Sequence, residues 1–179
     1  MSVRQASRQD IPAIAQLHAR SWRHAYRGAL SEAYLAGDLE QHRQQVWQAR
    51  LQVADPTSLC LLAEANGQLQ GFSYVQADRH PHWGSLLDNL HVDPDLHRTG
   101  IGKQLLLHTA RWCMDNATHP GLHLWVLQSN AQALAFYQAL GAQAVSDDVW
   151  SPPGGGAIPR FCYAWADVNH LADMPARHP

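Results

Sequence analysis

No stretch of this 179-residue sequence is apolar for long enough to span a bilayer, and its opening residues do not read as a signal peptide. It also lacks any basic run, and its net charge is only −2. These absences speak against a membrane or a nucleic acid as partner. Cysteine is scarce: Cys60, Cys113 and Cys162 are odd in number and far apart, each within a predicted strand or helix. They read as reduced core residues of a cytoplasmic protein, not as a disulfide framework. Internal repeats and low-complexity domains are missing. Histidine, by contrast, is plentiful, with twelve copies. The close pairs His80–His82 and His119–His123 fall in a predicted loop and across a Pro-Gly turn. No cysteine or carboxylate completes either at ligand spacing, so no metal is expected.

What is present suits one globular core, with 46% hydrophobic residues and periodicity that switches between strand and helix. Ser2–Ala6 reads as a first strand. Asp10 can cap the helix that follows, with Pro12 in its first turn and Ile11, Ile14 and Leu17 facing inward. Trp22 and Tyr26, four apart, share a different face before Arg27-Gly28 ends the helix. Shorter helices are predicted over Ser31–Leu35 and Glu40–Leu51. Strands Ser58–Glu64 and Leu69–Ala77 flank the hairpin turn Asn66-Gly67. A looser connection over 78–84 leads to a central strand, Ser85–Val92. Next come a helix to Asn116, a strand Leu122–Leu127, and a helix opened by Ser129 and Gln132 at capping-box spacing and closed by Gly141. Strands Ala142–Trp150 and Pro159–Ala166 flank a proline- and glycine-rich loop, 152–156, expected to be mobile. The pattern predicts the α/β class and one domain over residues 1–166. Residues 167–179 lack periodicity and are expected to fray.

The chemistry concentrates in Leu90–Lys103, LHVDPDLHRTGIGK. Asp93-Pro94 ends the strand, and Gly100 and Gly102 allow the backbone to approach a ligand where a helix begins. The open amides and dipole of that helix start suit a phosphate or pyrophosphate. A P-loop would need Ser or Thr where Gln104 stands. A Rossmann fingerprint would need a glycine at Leu105 and an acid at the end of the next strand, which HLWVLQ lacks.

The stretch His97-Arg98-Thr99-Gly100-Ile101-Gly102, after Val92-Asp93-Pro94, resembles the pyrophosphate loop of the GNAT superfamily of acetyl-CoA-dependent N-acyltransferases, with His97 in place of the usual Gln or Arg. A second stretch, LWVLQSNAQALAFYQALGA, resembles the family's next motif at Asn130, Phe136-Tyr137 and Leu140-Gly141-Ala142. The resemblance implies a GNAT fold: a mixed sheet of about seven strands with helices on both faces, splayed at strands 4 and 5. It implies acetyl-CoA as acyl donor and a small amine as acceptor. Leu90, His91 and Val92 would pair with the pantetheine arm, with an oxyanion-stabilising amide near Leu90. The backbone of Arg98, Thr99, Gly100, Ile101, Gly102 and Lys103 would take the pyrophosphate. Asn130 would bond pantetheine or cap its helix. Tyr137 would protonate the leaving thiolate.

A lysine-like amine of pKa ~10.4 is neutral at pH 7 only at a cost of about 4.6 kcal/mol, so a base is needed. Many family members carry a glutamate where this chain has Leu86. Asp88, two residues on and on the same strand face, is the favoured base, with His82 or a water as substitutes. Trp22 and Tyr26 would line the acceptor pocket, joined by Trp150 or Tyr163; the structural alternative for each is core packing. The resemblance leaves a homodimer open. The expected activity is direct transfer of acetyl to a primary amine in a ternary complex, and the alternative is a non-catalytic acetyl-CoA sensor.

Overall fold

The computed structural model describes residues 1–152 and 156–174. Among these the chain forms seven strands: β1 (Ser2–Gln5), β2 (Ser58–Ala65), β3 (Gln68–His80), β4 (Gly84–Val92), β5 (Leu122–Leu127), β6 (Gln143–Trp150) and β7 (Ile158–Trp165). The helices are α1 (Ile11–Ala25), α2 (Glu32–Ala36), α3 (Leu39–Leu51), α4 (Ile101–Asn116), α5 (Ala131–Ala139) and α6 (Asn169–Ala172). All strands join one sheet in the order β1-β2-β3-β4-β5-β7-β6. Asn66 and Gly67, both at positive φ (52° and 73°), make the tight β2–β3 turn that a right-twisted hairpin demands.

Each sheet face carries its own core. On one, Leu105, Leu106 and Leu107 of α4 are fully buried with Val75, Leu87, Leu122 and Leu124. Each such side chain contributes about 1.5–3 kcal/mol by leaving water. On the other, Ile14 and Leu17 of α1 and Trp47 of α3 pack on Cys60, Leu62 and Phe72. Cys60, Cys113 and Cys162 are free thiols and buried.

Two irregularities in β4 shape the molecule. The strand pairs in parallel with β5 only at Ser85–Leu122 and Leu86–His123, after which the two diverge. Its antiparallel register with β3 also slips: Tyr74 faces Asn89 but Val75 faces Leu87, so Asp88 is an extra residue in a bulge. The bulge turns Asp88 and Asn89 both towards α3, where strict alternation would have separated them.

Several local expectations are corrected. Asp10 does not cap α1. Its carboxylate is taken by Arg4 at 2.7 Å and by the Ser7 amide at 2.7 Å, one turn earlier. The cap of α5 is Asn130, whose side chain accepts from the Ala133 amide at 3.1 Å, and not Ser129. The connection predicted at 78–84 is tighter, because β3 runs on to His80. The predicted loop 152–156 includes 153–155, which lie outside the described residues. The frayed tail is corrected up to Met174: α6 tucks Val168 and Leu171 into the core against α4, at 1% and 0% exposure. Two apolar side chains in a short helical turn suffice to dock it, although they are too few to show a period in sequence.

Candidate active site

The divergence of β4 and β5 opens a cleft of about 1690 Å³, bounded by α1, α3, the loop into α4, and α5. Past Leu86, β4 has no strand partner on its β5 side, so a row of its backbone groups borders the cleft. At one end lies the start of α4. Gly100 has φ +87°, which a side chain would strain, and Arg98 also adopts the left-handed region at 64°. The first bond into the helix runs from the Gln104 amide to the Gly100 carbonyl at 3.0 Å. The amides of Ile101, Gly102 and Lys103 therefore precede any intrahelical acceptor and are free for an anion. A Cβ on Gly102 would come only to 3.5 Å of Phe136 and 3.6 Å of Val92, so its glycine is not demanded by packing.

Arg98, Gly100, Ile101, Gly102 and Lys103 all border the cleft, with Leu90, His91, Val92 and Asn130. Thr99 does not; its hydroxyl donates to the Leu96 carbonyl at 2.6 Å. Tyr137 is buried on the α5 wall, its ring against Phe136 and Trp165, and its hydroxyl makes no hydrogen bond to another described residue. Burial, with Tyr26 nearby, pushes its phenol above the usual value, so it stays protonated at neutral pH.

Opposite stands the wall formed by α1 and α3. Trp22 is buried and Tyr26 half-buried, their rings 4.9 Å apart, and Trp150 meets each at 6.0 Å. Trp22 both packs on Leu30, Leu35 and Leu39 and borders the cleft, so the two roles offered for it are compatible. Burial, then Asp88, pushes the Tyr26 phenol up to about 12. Asp88 accepts from Arg50 at 2.5 Å, and the same guanidinium donates to Asn89 at 2.9 Å. Two of the expected alternatives fall away from the cleft. Tyr163 is buried and accepts from Gln138 at 2.7 Å, and His82 sits in the exposed β3–β4 turn, its amide donating to His80 at 3.1 Å.

Sequence reasoning missed His18 and Arg43 in the polar layer behind this wall and gave His91 only as a contact of the pantetheine arm. His18 is 1% exposed and accepts from the Trp47 indole at 3.0 Å, which leaves the proton on Nε2, where no described residue accepts it. His91 stacks 4.6 Å away and exchanges a 2.8 Å hydrogen bond with Ser21. Burial, then Arg43, pushes His91 down to about 3. Arg43 is 7% exposed, and burial pushes its guanidinium below its ordinary value. A signal for Arg43 did exist: it stands midway between Leu39 and Trp47 at four-residue spacing, a charge on a buried stripe.

A strand pair that splays beside an amide-rich helix start, with a phenol on the far wall, is the architecture of an acyl-CoA-dependent acyltransferase. The Acetyltransferase (GNAT) family model matches residues 12–142, so the chain belongs to the GNAT acetyltransferase family, the acetyl-CoA-dependent N-acetyltransferases. Its relatives include the peptidyl-lysine N-acetyltransferase YiaC of Escherichia coli (strain K12), 29% identical over 94% of this chain and 99% of that protein. The uncharacterized N-acetyltransferase YuaI of Bacillus subtilis (strain 168) is 23% identical over 97% and 98% of the two chains. Among solved structures, the PaiA N-acetyltransferase of Thermoplasma acidophilum in complex with coenzyme A has a TM-score of 0.70 at 20% identity, covering 91% of this chain and 96% of that one.

Proposed function

We propose that the protein transfers acetyl from acetyl-CoA to a primary amine by direct attack within a ternary complex. The observation that carries this is the loss of β4–β5 pairing after Leu86, which leaves a cleft open from the first turn of α4 to Tyr137 and on to the aromatic wall. The amides of Arg98 and of Gly100 to Lys103 take the pyrophosphate, and the unpaired edge of β4 from Leu90 to Val92 takes the pantetheine arm as an added strand. A backbone N–H near Leu90 stabilises the oxyanion. Asn130, already used as a helix cap, orients the arm by its remaining atoms.

Proton flow follows from the side chains. The amine enters between Trp22, Tyr26 and Asp88 and loses its proton to Asp88 directly or through a water, while Arg50 holds the carboxylate in place. The C–N bond forms, the tetrahedral intermediate collapses, and the C–S bond breaks. Tyr137, kept protonated by burial, donates to the departing thiolate. The relative's name, peptidyl-lysine N-acetyltransferase, supports a primary amine as acceptor.

Leu86 in the place of an acid, and an Asp88 already paired with Arg50, favour one rival: a module that binds acetyl-CoA without turnover. Release of free thiol on adding amine separates the two. Wild type is expected to release thiol in proportion to amine acetylated. Saturable coenzyme A binding with no acceleration by any amine of a broad panel gives the rival its case.

A further inference from the structure

The acceptor half of the cleft holds a buried cation with no ion-pair partner among the described residues. Arg43 projects from α3 with its guanidinium 4.3 Å from the centre of the Trp22 ring. No carboxylate of the described residues forms an ion pair with it. Its polar contacts are from Nη2 to the ring of neighbouring His42, at 3.3 Å to Nδ1 and 3.5 Å to Nε2, while Nε is buried with no hydrogen-bond partner among the described residues. Arg50, one helical face along, is the contrast: it is more exposed and already holds Asp88 and Asn89. Asp88 is also the single carboxylate among the described residues that border the cleft. The fold therefore sets two guanidiniums on this wall, one of them buried, and supplies one acid, which Arg50 has taken.

A buried charge persists in a folded protein when something pairs with it. Arg43 borders the same cleft as Trp22, Tyr26, Asp88 and Tyr137, so its charge lies beside the space that the acceptor must enter. Stacking on Trp22 fixes the guanidinium plane and leaves its edge as a planar fork. That fork matches the two oxygens of a carboxylate. Resting on the transfer reading above, we propose that Arg43 receives a carboxylate on the acceptor, so that the substrates are amines that also carry a carboxylate, amino acids foremost, and not plain polyamines. The carboxylate docks at Arg43, the aromatic wall flanks the body, and the amine points to Asp88 and the thioester.

The test uses matched acceptors with acetyl-CoA at saturation: α-amino acids and ω-amino acids from glycine to 6-aminohexanoate, each with its carboxamide and its decarboxylated amine. Short peptides and aminoalkylphosphonates extend the panel. In wild type the best carboxylate is expected to exceed its carboxamide in kcat/KM by on the order of 100-fold, carried mainly in KM, as for a charge-assisted bidentate pair. Arg43→Gln is expected to reduce that preference to a few-fold, the loss falling far more on the carboxylate than on its carboxamide. Arg43→Lys, which keeps the charge and loses the fork, falls between. Free amino acids outperforming peptides, or the reverse, identifies the source of the carboxylate. Equal use of acid and amide by wild type, a preference that survives Arg43→Gln, or a response to phosphonates alone overturns the proposal. Should no amine release thiol, it is the transfer reading that fails, and the anion site is then read without turnover. Benzoate and 4-aminobutyrate should raise the melting temperature of coenzyme A-loaded wild type and not of Arg43→Gln or, if that variant does not fold, less that of Arg43→Lys. Absence of any such difference also overturns the proposal.

Discussion

Tyr137 is a buried phenol whose hydroxyl makes no hydrogen bond to another described residue, and the donor role proposed for it rests on that. Replacing it with phenylalanine preserves the ring contacts to Phe136 and Trp165 and removes only the hydroxyl, with the proton it would donate. Tyr137→Phe is expected to lower kcat by about 100-fold or more, with coenzyme A affinity within about threefold of wild type, as steady-state kinetics and calorimetric titration will measure. His91 makes a second prediction, about acid. An imidazole in the unfolded chain takes up its proton near 6.5, whereas folded His91 resists until about 3. Between those values the unfolded state binds more protons, so stability is present above pH 6.5 and is lost as pH falls towards 3. His18, also depressed by burial, acts in the same direction. Urea midpoints taken at pH 7, 6, 5 and 4 should fall steadily, and less steeply in His91→Gln, which has no proton to gain.

At the level of strands and helices, two glycines at positive φ separate backbone strain from steric conflict. Gly100 has open space around a virtual Cβ, so Gly100→Ala meets strain alone and should cost about 1–2 kcal/mol of stability. Gly84, at φ +68°, would press a Cβ to 2.2 Å from the Gly121 carbonyl oxygen, backbone that cannot rotate away. Gly84→Ala should therefore cost several kcal/mol more and disturb the point where β4 meets β5; denaturant unfolding of both variants will rank them. These elements also show how far local pattern reaches. Asn66-Gly67, Gly100, Asn130 and Gly141 were legible because each answers to dihedral or capping needs within a few residues. The bulge at Asp88 was not, because it exists only as a mismatch of register between β3 and β4, and Asn89 reaches Arg50 only through it. Tyr163 and His82 erred for the same reason: residue type marked one for the acceptor wall and the other as a substitute base, and tertiary placement carried both away from the cleft.

For the molecule as a whole, the cleft couples both sheet faces, since Leu87 of β4 lies in one core, His91 packs against Phe72 of the other, and the strand borders the opening. A ligand that fills it stabilises the whole fold. Coenzyme A at about 100 times its dissociation constant should add about 2.7 kcal/mol and raise the melting temperature by about 5–10 °C. Thermal scans against ligand concentration will check this. Arg20 of α1, paired with Asp93 at 2.7 Å and Asp95 at 2.5 Å, ties the acceptor side to the end of β4, so part of the shift should reach α1.

The primary structure was enough for the α/β class, the glycine-led helix start and the Tyr137 motif, because turn chemistry, helical periodicity and short ligand loops are local properties of the chain. Folding in three dimensions decided the rest. Which strands part company, which carboxylate is already spoken for, and which buried guanidinium lacks a partner all depend on residues far apart in sequence. Asp88 lies 38 positions from Arg50. Electrostatic pairing acts through space, so neither the paired acid nor the unpaired Arg43 can be recognised until the sheet and α3 have come together.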